Sequence, residues 1–199
     1  LKSILADESR HTIARISCFL DGANARSQVK EMGLENTGGY IFYDATNRNW
    51  LDPGKPAARE FLLDLIRQAA EAGFDEILLT EVFYPTEGKL DKIAYSADRT
   101  ESLTLFLTEA KGLLADYPGV TLSVAVTDTL LLDGEDETSG QSLSGFAALA
   151  DAIYALCEGG DYDDAKAAVA EAAGGRTTAF VAFFDGVGYP PEEYLIPEA

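Results

Sequence analysis

Apolar positions along the chain switch repeatedly between the short period of a strand and the 3.6-residue period of a helix. Leu1 to Arg10 reads as the end of a helix, and Ile13 to Leu20 as a strand closed by the turn pair Asp21-Gly22. A polar stretch with Gly38-Gly39 leads into a short aromatic run, Tyr40 to Tyr43. Asp52-Pro53-Gly54-Lys55-Pro56 is a helix start, because proline suits a first turn where no N–H is needed. Phe61, Leu62, Leu65, Ile66 and Ala69 then share one face, and Gly73 stands where a C-terminal glycine belongs. Glu76 to Phe83 predicts the next strand; its centre, Ile77-Leu78-Leu79, is apolar without alternation, as in a parallel strand buried on both faces.

Thr100 is in place to cap a helix with the stripe Leu103, Phe106, Leu107, Ala110 and Leu114, which Pro118-Gly119 ends. Val120 to Val126 is a strand, Leu143 to Ala150 a short helix, and Ala152 to Cys157 a strand. Asp161 to Ala173 is an alanine-rich helix and Thr178 to Phe184 a last strand, with an irregular tail from Tyr189. Five strands are clear, and Tyr40 to Tyr43 is a candidate sixth. Alternation of this kind implies a parallel sheet with right-handed crossovers, hence the α/β class. No glycine-rich phosphate loop follows any strand, which removes support for nucleotide-binding forms. Pattern alone leaves a barrel and an open doubly wound sheet both standing.

The 199 residues fit one domain, 1–199, with a sizeable core. A start at Leu1, with the one methionine at Met32, reads as a processed or partial chain. No apolar run approaches the roughly 20 residues of a membrane span, so direct membrane insertion is not expected. The net charge of −19, from 15 basic and 34 acidic residues, argues against nucleic acid and anionic membrane surfaces, and is indifferent to neutral sugars. Cys18 and Cys157 lie far apart in apolar stretches and read as free buried thiols. One histidine, His11, gives no zinc cluster and no Ser/His or Cys/His nucleophile pair. The acidic run Asp133 to Glu137 lacks the spacing of a calcium loop. Neither a metal nor a cofactor is therefore expected.

Trp50-Leu51-Asp52-Pro53, the helix after it, and Ala72-Gly73-Phe74-Asp75-Glu76-Ile77 form a run with a family resemblance, extended by Pro85 to Leu90 and by Gly140 to Leu143. It resembles a bacterial family of proposed glycosyl hydrolases, a TIM-barrel domain of unknown function akin to α-amylase-type barrels. The resemblance covers most of residues 10 to 157 and is most specific from Trp50 to Leu90. It implies a TIM-barrel-like (β/α) fold, here incomplete or shortened, since eight strands close such a barrel. It also implies an extracellular or envelope-associated setting. An open sheet edge would need covering, by further chain or by a homodimer.

The departures from the family pattern fall at strand C-termini, where barrel chemistry is done. Thr80 occupies the place of a candidate catalytic aspartate, Phe83 that of an arginine, and Ala125 that of a second acid. Glycoside hydrolysis uses two carboxyl groups, ~5–5.5 Å apart for retention and ~6.5–9.5 Å for inversion. The acids left near strand ends are Asp21, Glu81, Asp128 and Asp185. Glu81 and Asp128 are the candidate catalytic pair, although alternation along a strand would turn Thr80 and Glu81 to opposite faces. Asp21, Tyr43, Trp50, Thr80, Tyr84 and Asp185 are candidate substrate contacts, the aromatics as stacking surfaces for sugar rings. Three functions follow: a catalytically degenerate domain binding carbohydrate or cell-wall glycan, an active glycosidase with relocated carboxylates, and an interaction domain with no sugar site.

Overall fold

The computed structural model describes residues 9–156, 162–183 and 194–195, together with Leu5. Its centre is a parallel sheet of β1 (Ile13–Ser17), β2 (Glu76–Thr80), β3 (Thr121–Val126), β4 (Ala152–Leu156), β5 (Ala179–Phe183) and β6 (Tyr194–Leu195). Each strand lies beside its predecessor, so spatial order equals chain order. A doubly wound sheet reverses direction at a switch point; this one never does, which is the winding of a barrel. With β1 and β6 as its two edges, the described sheet is a partial barrel.

The helices are α1 (Gly22–Ser27), α2 (Pro56–Ala72), α3 (Arg99–Leu114), α4 (Asp128–Asp133), α5 (Leu143–Ala147) and α6 (Tyr162–Ala172). Pro56 opens α2, and Gly73 closes it at φ 93°, a conformation that costs glycine nothing. Asp98, and not Thr100, caps α3: its side chain accepts from the Glu101 N–H. All five residues of the α3 stripe are buried.

Strand register lines up Ile16, Leu79, Val124, Ile153 and Phe180 in one row across five strands. The last four join Leu62, Ile66, Leu103, Phe106, Phe146 and Val169 in the main core, beneath the helices. The adjacent row, Arg15, Leu78, Ser123, Ala152 and Ala179, belongs to the opposite, inner face. All five residues of β2 are buried, as expected for a strand covered on both sides.

Three further expectations change. Tyr40 to Tyr43 is not a strand of the sheet; it forms one isolated bridge, Glu35 to Ile41. The sixth strand is instead Tyr194–Leu195, in the tail read as irregular. The first two strands also end earlier than their apolar runs, at Ser17 and Thr80, because the following residues turn into loops.

Candidate functional site

The strand C-termini carry two long connections, from β1 to α2 and from β2 to α3. They are stitched together by a two-residue antiparallel ladder, Glu35–Asn36 against Ile93–Ala94, and by the Thr37 N–H donating to the Lys92 carbonyl at 2.8 Å. Between them lies a cleft of about 640 Å³, lined in part by Asn36, Thr37, Tyr43, Asn47, Lys89 and Lys92. Tyr43 is 51% exposed, so its ring is open to a ligand.

The cleft floor is fixed by Asp44. One carboxylate oxygen accepts from the Thr46 N–H and hydroxyl and from the Arg48 N–H; the other accepts from the Arg48 guanidinium at 2.8 Å and the Trp50 indole at 3.1 Å. Burial pushes this acid up, but the donors outweigh it, above all Arg48, and hold it at about 2. Gly88, at φ 108°, packs on the Asp44–Ala45 backbone, where an added Cβ would come within 3.1 Å of the Ala45 nitrogen. This tight approach ties the two connections together and shapes the cleft wall.

Glu81 follows β2 with φ 53°, a left-handed backbone rare for a residue with a side chain. That turn breaks the alternation expected of the strand. The Thr80 hydroxyl donates to the Glu81 carboxylate, and the Arg15 guanidinium lies 3.6 Å from its other oxygen. Arg15 Nε in turn donates to Thr80 Oγ1 at 3.4 Å. Thr80 and Glu81 therefore face the same way, on the inner face with Arg15.

The remaining candidates are placed differently. Asp21 caps α1, accepting from the Ala23 and Asn24 N–H groups, both at 3.0 Å, and from the Asn24 side chain at 2.6 Å. Trp50 is 2% exposed and stacks at a tilt on Phe83, so its ring offers no open face. Tyr84 is fully buried and donates to Asp52 at 3.3 Å. Both aromatics belong to the core, where a large ring buries more area than at a cleft wall. Asp128 is the first residue of α4, which Thr127 caps immediately after β3. Asp185 and Cys157 lie outside the described residues. Cys18 is a free, buried thiol; burial raises its pKa well above the ordinary value, and the nearby Glu81 charge adds to this.

Arg15, Asp44 and the polar residues lining the cleft were not singled out by sequence. Arg15 carried a usable signal: a charged residue alternating within an apolar strand marks the face that is not packed against helices.

Residues 2–173 match the model of a protein family described as "putative glycosyl hydrolase domain". The chain belongs to this family. Among solved structures, this glycosyl hydrolase-type domain resembles a hypothetical protein from Ruminiclostridium thermocellum, with 25% identity over 62% of this chain and 64% of that one, at a TM-score of 0.52. Aspergillus fumigatus Ega3, in complex with galactosamine, superposes at 0.53, with 11% identity over 92% of this chain and 65% of that one. The glycoside hydrolase domain of Pseudomonas aeruginosa PelA, as a variant, superposes at 0.50, with 14% identity over 86% and 65%. The domain thus spans a little under two thirds of these structures. No curated protein matches it. Among the described residues no helix is long and apolar enough to cross a membrane, and no cluster of three or more potential ligands could hold a metal ion.

Proposed function

We propose that this glycosyl hydrolase-type domain binds carbohydrate at the C-terminal end of its sheet without cleaving it. The observation that carries the reading is the cleft with the open Tyr43 ring. An exposed aromatic face beside amide, hydroxyl and ammonium groups suits a sugar, which pairs an apolar ring face with a rim of hydroxyls. Thr80 and Ala125 stand where the resembled family has acids, and the Asp21 carboxylate is spent on its own helix cap. Hydrolysis by two carboxyl groups is thereby short of partners. Cell-wall glycan outside the cell is the proposed class of ligand. Binding of labelled protein to a glycan array tests this: Tyr43→Ala should lose retention that the wild type shows, and equal retention of the two rejects the site.

A second reading rests on Glu81. A strained backbone that swings a carboxylate onto the inner face beside a guanidinium is a feature found at active sites. With Asp128 at the start of α4, it would supply the pair for an active glycosidase. Release of reducing ends by the wild type, abolished in Glu81→Gln and in Asp128→Asn, would establish this reading in place of the first. An unchanged rate in both variants would remove it.

A further inference from the structure

Tyr40 is 74% exposed, more than the ring that opens onto the cleft. It sits in the turn between the two stretches of chain that line the cleft, Asn36–Thr37 and 42–45. That turn is held at every residue. The Asn36 side-chain oxygen accepts from the Gly38 N–H at 2.9 Å and the Tyr40 N–H at 3.3 Å. Its backbone N–H donates to the Tyr40 carbonyl at 2.7 Å, and its carbonyl accepts from the Gly39 N–H at 2.8 Å. Lys30 donates to the Gly39 carbonyl at 3.0 Å and pairs with Glu35, which Lys55 holds from the other side at 2.9 Å. Gly39, at φ 78°, supplies the left-handed step that the turn requires.

Such a frame presents Tyr40 to solvent from a fixed backbone, and little ordering cost remains for a ligand that stacks on it. Ring exposure of this size brings the fold nothing, since the apolar face stays in water. Tyr43 follows three residues later on the same clamped segment, so the two backbones are at most about 10 Å apart. Resting on the glycan-binding reading above, we infer that Tyr40 is an outer stacking subsite and that the cleft takes a sugar chain of two or more units. Tyr43 holds the unit within the cleft, and Tyr40 the next one along the rim. A chain polymer, and not a free monosaccharide, is then the class of ligand.

The test compares wild type, Tyr43→Ala and Tyr40→Ala on immobilised glycans, each presented from mono- to hexasaccharide, with affinities from calorimetry on the best-bound series. Tyr43→Ala should weaken binding at every length. Tyr40→Ala should leave the monosaccharide unchanged and weaken disaccharides and longer chains about tenfold. Loss of affinity by Tyr40→Ala at every length, or at none, overturns the outer subsite while the glycan-binding reading survives. Failure of the wild type to bind any glycan sinks that reading, and this inference with it. A change in self-association on ultracentrifugation, without a change in glycan affinity, would assign Tyr40 to a protein contact and equally overturn the inference.

Discussion

The two faces of the sheet are built from different chemistry. On the helix-covered face, Ile77, Leu79, Leu122, Val124, Ile153, Ala155, Phe180 and Ala182 are all buried and apolar, and they pack against the helix stripes. On the inner face, Arg15, Glu76, Thr80 and Ser123 stand among Leu78, Ala125 and Tyr154. Glu76 meets His11 Nε2 at 2.6 Å; burial, and then the hydrogen bond to Glu76 and its charge, raise the pKa of Tyr154. Oε1 of Glu76 and the hydroxyl of Ser123 are buried without a hydrogen-bond partner among the described residues. The first face gains stability from area removed from water; the second keeps polar groups at a cost in stability. A fold held by one face can leave the other, and its C-terminal rim, for ligands.

The comparison breaks most readily at the helix-covered face. Phe106 is fully buried and meets Phe19 edge to face at 5.1 Å, so Phe106→Ala should destabilise by about 3–5 kcal/mol in urea unfolding. A cost below about 1 kcal/mol would mean that this layer does not carry the fold.

At the rim, Asp44 should come next. Its folded pKa of about 2 lies below the ordinary 3.8, so its contribution is complete above pH 3.8 and fades as pH falls through about 2. The span corresponds to about 2 kcal/mol. Asp44→Asn should lose about that much at pH 7, and the gap to wild type should close in acid. A gap independent of pH would show that shape, and not charge, matters at Asp44.

Smaller effects sharpen the contrast. Glu81→Gly relieves the left-handed strain and should raise stability by up to about 1 kcal/mol, while removing the carboxylate. A loss instead would mean that the contacts with Arg15 and Thr80 outweigh the strain. Smallest of all, Ser123→Ala should fall within about 0.5 kcal/mol of wild type, because it deletes a hydroxyl with no partner to lose. A cost above about 1 kcal/mol in thermal unfolding would show that this hydroxyl is satisfied in solution.

The candidate site was only partly legible. Tyr43 and Glu81 were readable as residues near strand ends, and the structure opens one to the cleft and turns the other inward. Trp50 and Tyr84 read equally well, yet both are buried, because position near a strand end does not say which way a ring points. Asp44 drew no notice, since its five donors come together only once the segment from Thr46 to Trp50 has folded back over it.

What the sequence by itself determined is the succession β1 to β5 with helices α2, α3, α5 and α6 between them, and the apolar faces of α2 and α3. Those follow from periods of two and 3.6 residues, which are local and survive without knowledge of neighbours. The family resemblance already implied an incomplete barrel; tertiary structure decided the chain-order pairing of its strands, that Glu81 shares a face with Thr80, and that two long connections enclose a cleft. Each of these depends on a left-handed backbone, a distant hydrogen bond or a strand neighbour, and no local period encodes them.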